Sequence, residues 1–153
     1  MKRIFIIFSI LMSVFELSSA QTNSSDFTIV ERTAVEKAQL QKEHTGDLKV
    51  FFNESDKPAP YLIAGIINRE AKINDLHIYL ATRPGKLIFG SNIISSTNIQ
   101  EFKESFSQWG KLVKGKVIIH SIDVFTTPAG EALKSKLEES TGLVFVSQAT
   151  SSN

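Results

Sequence analysis

Apolar residues recur at steps of three and four from Ile99 through Phe102, Phe106 and Trp109 to Val113. That is the stripe of an amphipathic helix seated on a core, and it makes Trp109 a core anchor. Thr97-Asn98 opens this helix, with Gln100 and Glu101 available to complete a capping box. Leu62, Ile63, Ile66 and Ile67 repeat the spacing behind Pro58 and Pro60, and a proline suits a first helical turn. A further helix starts at Thr127-Pro128, carries Ala129, Leu133 and Leu137 on one face, and is capped by Gly142. Near the N-terminus, Thr33-Ala34-Val35-Glu36 has the capping-box pattern and predicts a short helix over Thr33 to Glu43, ending near Gly46.

Between these periodic segments lie short continuous apolar runs. Leu48 to Phe52, Leu76 to Leu80, Lys116 to His120 and Leu143 to Val146 read as strands, and such runs suit a buried parallel sheet. Pro84-Gly85 marks a turn. Lys86 to Phe89 and Asn92 to Ile94 flank Gly90-Ser91 as a β-hairpin. Strands alternating with helices imply an α/β fold of three layers, α/β/α. Its sheet is mostly parallel with helices on both faces and a small β-hairpin added. Residues 27–148 form one domain, preceded by a polar leader, Gln21 to Asp26, and followed by a polar tail, residues 149–153.

The first twenty residues read as an export signal. Lys2 and Arg3 give a positive start, Ile4 to Phe15 an apolar stretch, and Ser18-Ser19-Ala20 a small-residue cleavage site. The apolar stretch falls short of the roughly 20 residues that span a bilayer, and no later segment is apolar enough to do so. The expected protein is therefore exported, periplasmic or extracellular, with no membrane span once the signal is cleaved. Cleavage removes two cations and one anion, Glu16, from the 17 basic and 16 acidic residues, so the charges then balance. A balanced chain lacks the electrostatic footprint of a nucleic-acid binder. The chain has no cysteine, so an exported form has no disulfide and depends on packing; its 42% apolar content is compatible with that.

Candidate chemistry is sparse. His77 reads as the start of a strand and is expected at the end of the sheet away from the usual ligand crevice. His44 follows a helix, where a cation is mildly favourable. His120-Ser121 with Asp123 invites a hydrolase reading with Ser121 as nucleophile, but neighbours in a strand point to opposite faces. His120 and Asp123 fall short of the three or four ligands of a metal site. Arg83, at a strand's carboxyl end, suits a solvated loop residue or a ligand contact. Asn23-Ser24-Ser25 and Asn53-Glu54-Ser55 match glycosylation acceptors and read as chance matches in a bacterial secretory protein.

Read as one string, Leu76 to Ser147 carries Pro84-Gly85-Lys86-Leu87-Ile88-Phe89-Gly90, then Trp109-Gly110, then Gly130 and Thr141-Gly142. In order and spacing this resembles a bacterial extracellular family of unknown function, found in large repeat-bearing surface proteins and akin to caspase- and gingipain-like cysteine peptidases. The N-terminal half is short by comparison. The resemblance implies a caspase-like fold with a histidine and a nucleophilic cysteine at the ends of neighbouring strands. Those strands would lie about 5 Å apart, close enough for a dyad. Here the family's His-Gly falls on Ala81-Thr82 and its cysteine on Ile122, between Ser121 and Asp123. Methyl and sec-butyl groups neither attack carbonyls nor move protons. No catalytic, cofactor-binding or metal-ligating residue is assigned. The resemblance points to a pseudoenzyme that binds a protein or a polar ligand at a vestigial site formed by Ala81, Thr82, Arg83, Ser121, Ile122 and Asp123. A hydrolase with relocated residues, and a structural or accessory envelope protein, are the alternatives.

Overall fold

The computed structural model describes residues 25–31, 47–51, 59–69 and 73–149. In chain order these form β1 (Ser25–Glu31), β2 (Asp47–Phe51), α1 (Ala59–Ile67), β3 (Ile73–Tyr79), β4 (Ala81–Arg83), β5 (Lys86–Phe89) and β6 (Asn92–Ser95). A 3₁₀ turn at Ile99–Phe102 then leads into α2 (Lys103–Leu112), followed by β7 (Val117–His120), α3 (Pro128–Thr141) and β8 (Phe145–Gln148). The export signal, the helix expected over Thr33 to Glu43, His44, both glycosylation triplets' asparagines and the last residues of the tail lie outside the described residues.

Five strands pair in the order β2–β1–β3–β7–β8, every pair parallel. The register sets the two faces. Phe27, Leu76 and Val117 stand side by side, as do Ile29, Ile78 and Ile119, and all six side chains are buried in the main core. Onto this face pack Ile63 and Ile67 of α1, Phe106 and Trp109 of α2, and Leu133 and Leu137 of α3. The three helices share a face for a topological reason. The steps β2 to β3, β3 to β7 and β7 to β8 all run in one direction, and crossovers are right-handed. Among the described residues the helical layer is thus on one face, and the helix expected over Thr33 to Glu43 lies outside them. The other face presents Thr28, Val30, His77, Tyr79, Ile118 and His120.

Several boundaries differ from the sequence expectation. β1 was not expected, and Ser25 and Asp26 belong to it rather than to a leader. β3 starts at Ile73, not Leu76, because a bulge opposite Ser25 and Phe27 inserts an extra residue and breaks the alternation. Asp26 Oδ1 accepts the bulge's Asp75 N–H at 3.3 Å and Asn74 Nδ2 at 3.2 Å, and Asp75 Oδ1 accepts Lys116 N–H at 2.9 Å. The capping box at Thr97-Asn98 is not formed, and the segment enters α2 through the 3₁₀ turn. The ends of α3 follow the sequence. Thr127 Oγ1 accepts Gly130 N–H at 3.2 Å, Pro128 opens the first turn, and Gly142 stops the helix at φ 73°, where a Cβ is penalised.

Candidate functional site

After β3 the chain crosses at Leu80 into β4, the first strand of a separate antiparallel sheet, β4–β5–β6. Pro84 and Gly85 form the tight turn between β4 and β5, with Gly85 at φ 72°. Gly85 N–H donates to Val124 O at 2.9 Å, and a Cβ at Gly85 would come within 2.8 Å of the Ala129 methyl. The hairpin tip is thereby pinned to the loop between β7 and α3. That loop is fixed from within as well. Val124 and Phe125 are buried, Thr126 Oγ1 donates to Asp123 O at 2.9 Å, and Gly130 approaches the Val124 carbonyl too closely to bear a side chain.

These constraints bring three polar side chains together at the carboxyl ends of β3 and β7. Thr82 Oγ1 lies 2.6 Å from Ser121 Oγ, and Ser121 Oγ donates to Asp123 Oδ1 at 3.0 Å. Thr82 Oγ1 also lies 3.4 Å from Asp123 Oδ1. The simplest proton order is Thr82 to Ser121 to Asp123, ending on the carboxylate. Ser121 is 8% exposed, whereas Asp123 is exposed, so the cluster has a buried hydroxyl and an open acidic mouth. Ile122, at the cysteine position of the resemblance, is 75% exposed beside it.

Two predicted members do not join the cluster. Successive side chains on a strand alternate faces. Thr82 shares its face with the buried Leu87 and Ile94, so Ala81 and Arg83 point the other way, and both are exposed. Ala81 and Arg83 therefore lie on the face of β4 opposite Thr82, away from the cluster.

The histidines are arranged differently from the sequence expectation. His77 lies well inside β3, not at its start, because the strand begins four residues earlier. Its Nδ1 sits 2.9 Å from His120 Nε2, and the His120 ring stacks on Tyr79 with centroids 3.8 Å apart and planes 7° from parallel. His120 thus points to the face of His77 and Tyr79, while Ser121 Oγ engages Thr82 and Asp123. The pairing of β3 with β7 joins His77, Tyr79 and His120 on one face, and the two-residue step from His77 to Tyr79 was the signal for it in the sequence. Among the described residues, no three His, Asp or Glu side chains converge as metal ligands. No helix among them is long and apolar enough to cross a membrane.

No curated protein matches the chain. The family described as a domain of unknown function, DUF4347, matches residues 27–152. The match reaches from β1 past β8, so it takes in the N-terminal strands that the resemblance over Leu76 to Ser147 left out. On this span the chain belongs to the DUF4347 family.

Proposed function

We propose that this domain is an exported, non-catalytic relative of the caspase-like cysteine peptidases, and that it binds a protein or polar ligand at the carboxyl ends of β3 and β7. One observation carries the reading. Thr82, Ser121 and Asp123 form a hydroxyl–carboxylate cluster, and in sequence they flank Ala81 and Ile122, the two positions where the resemblance calls for histidine and cysteine. Open parallel α/β sheets bind ligands in the crevice at this end of their strands. The cluster offers a ligand two hydroxyls and a carboxylate on a rigid frame.

The same geometry disfavours the relocated-hydrolase reading. A serine nucleophile needs a base aimed at its proton and a third group orienting that base. Here the Ser121 proton is directed at Asp123, and the His120 imidazole lies against Tyr79 and His77. Export rests on the charge, length and small-residue pattern of Met1 to Ala20.

A mixed peptide library passed over the immobilised protein tests the reading. Peptides are expected to be retained uncleaved, and Thr82→Val with Asp123→Asn is expected to release them without altering the fold. Hydrolysis that disappears in Ser121→Ala would establish the relocated hydrolase instead. Retention unchanged in the double variant would remove the cluster as a binding site.

A further inference from the structure

Arg83 and Lys86 face each other directly across the β4–β5 turn, and both are exposed. Direct cross-strand partners lie on one face with Cβ atoms about 5 Å apart, and like charges there are destabilising. Among the described residues no acidic side chain pairs with either cation. The sequence Arg83-Pro84-Gly85-Lys86 thus holds two uncompensated positive charges side by side on a rigid turn, pinned through Gly85 to Val124.

The same face carries a second feature two residues along each strand. Ala81, Ile88 and Ile93 stand in register across all three strands. Ile93 is 50% exposed, Ala81 is exposed and Ile88 is half-buried. The opposite face holds Leu87 and Ile94, both buried, so the sheet has its core side elsewhere and this apolar row faces outward. Strand addition at β6 is blocked, because Asn98 caps that edge: its Oδ1 accepts Ser95 N–H and its Nδ2 donates to Ile93 O, each at 2.8 Å. A partner must lie on the face, not along that edge.

We propose that the outer face of the β4–β5–β6 sheet docks an acidic–apolar segment of a partner protein, with carboxylates on Arg83 and Lys86 and apolar side chains on Ala81, Ile88 and Ile93. Charge complementarity selects the acidic partner, and the row of three apolar side chains selects a segment that presents both kinds of group on one side. An anionic membrane or a nucleic acid fits less well. Polybasic lipid-binding clusters use roughly four to eight cations, against the pair found here. The surface is distinct from the Thr82–Ser121–Asp123 cluster, which lies on the other side of β4, and it does not depend on the function proposed for that cluster.

A fluorescent peptide of pattern Leu-Ser-Leu-Ser-Glu-Ser-Glu, whose leucines and glutamates share one side when extended, is the probe. A control peptide has lysine in place of glutamate. Anisotropy is expected to show binding of the acidic peptide, weakened by salt, and none of the lysine peptide. Lys86→Glu, Lys86→Gln and Ile93→Ser are each expected to weaken binding about tenfold or more, while Asp123→Asn leaves it unchanged. Lys86→Glu is also expected to hold or raise the melting temperature, since a carboxylate then faces Arg83. No binding by the parent protein, equal binding of the lysine peptide, or affinity unmoved by the Lys86 variants would overturn the proposal. Stronger binding to phosphatidylserine vesicles than to the peptide would overturn it in favour of a membrane surface.

Discussion

Trp109 ties α2 to α1 through its indole nitrogen. The indole is 1% exposed, its ring meets Phe106 edge-on with centroids 5.0 Å apart, and Nε1 donates to the Pro60 carbonyl at 3.0 Å. Truncation removes the packing and orphans a buried carbonyl. Trp109→Ala is therefore expected to destabilise by about 3–5 kcal/mol in equilibrium urea unfolding. A loss below about 0.5 kcal/mol, the scale of ordinary surface changes, would contradict this burial. The buried place of Trp109 was legible from its helical spacing, but its bond to Pro60, 49 residues away, was not. The site shows the same division. Thr82, Ser121 and Asp123 could be named from their neighbours in sequence. The direction of Arg83 could not, because β4 is a three-residue strand that exists only through its pairing with β5.

Elements were readable where their signals are local. Thr127-Pro128 and Gly142 bound α3 with their own side chains and backbone, and the hairpin turns carry their glycines. β1 was hidden for a physical reason. It sits between β2 and β3, and Phe27, Thr28, Ile29 and Val30 are all buried, so the period-two alternation of a half-exposed strand is missing. β3 was shortened in the sequence reading because its bulge shifts the apolar phase between Ile73 and Leu76. Asn98 was read as a helix cap and instead closes the edge of β6. Losing that side chain frees a strand-edge amide and carbonyl. Asn98→Ala is expected to cost about 1 kcal/mol and to promote concentration-dependent association through the exposed edge. Light scattering across a dilution series would detect it, and a monodisperse variant of unchanged stability would refute this role for Asn98.

At the scale of the whole molecule, the strand order β2–β1–β3–β7–β8 places the ends of β3 and β7 side by side, and with them the start of β4 and the loop bearing Ser121 and Asp123. The alternation of strands and helices made the α/β class legible. The order of the strands, and the sharing of one face by three helices, follow from crossover handedness and long-range pairing that periodicity does not encode. The proposed function turns on one spatial claim: Thr82, Ser121 and Asp123 form one site at the strand ends where the resemblance places a histidine–cysteine dyad. Building a pair into that site tests the claim most directly. The thiol introduced by Ser121→Cys alone, buried beside Asp123, is expected to titrate above the ordinary value of about 8.5. Adding Thr82→His is expected to lower that pKa and to speed iodoacetamide alkylation at neutral pH, because a neighbouring imidazolium stabilises the thiolate. Identical titration and alkylation in the single and double variants would contradict the account.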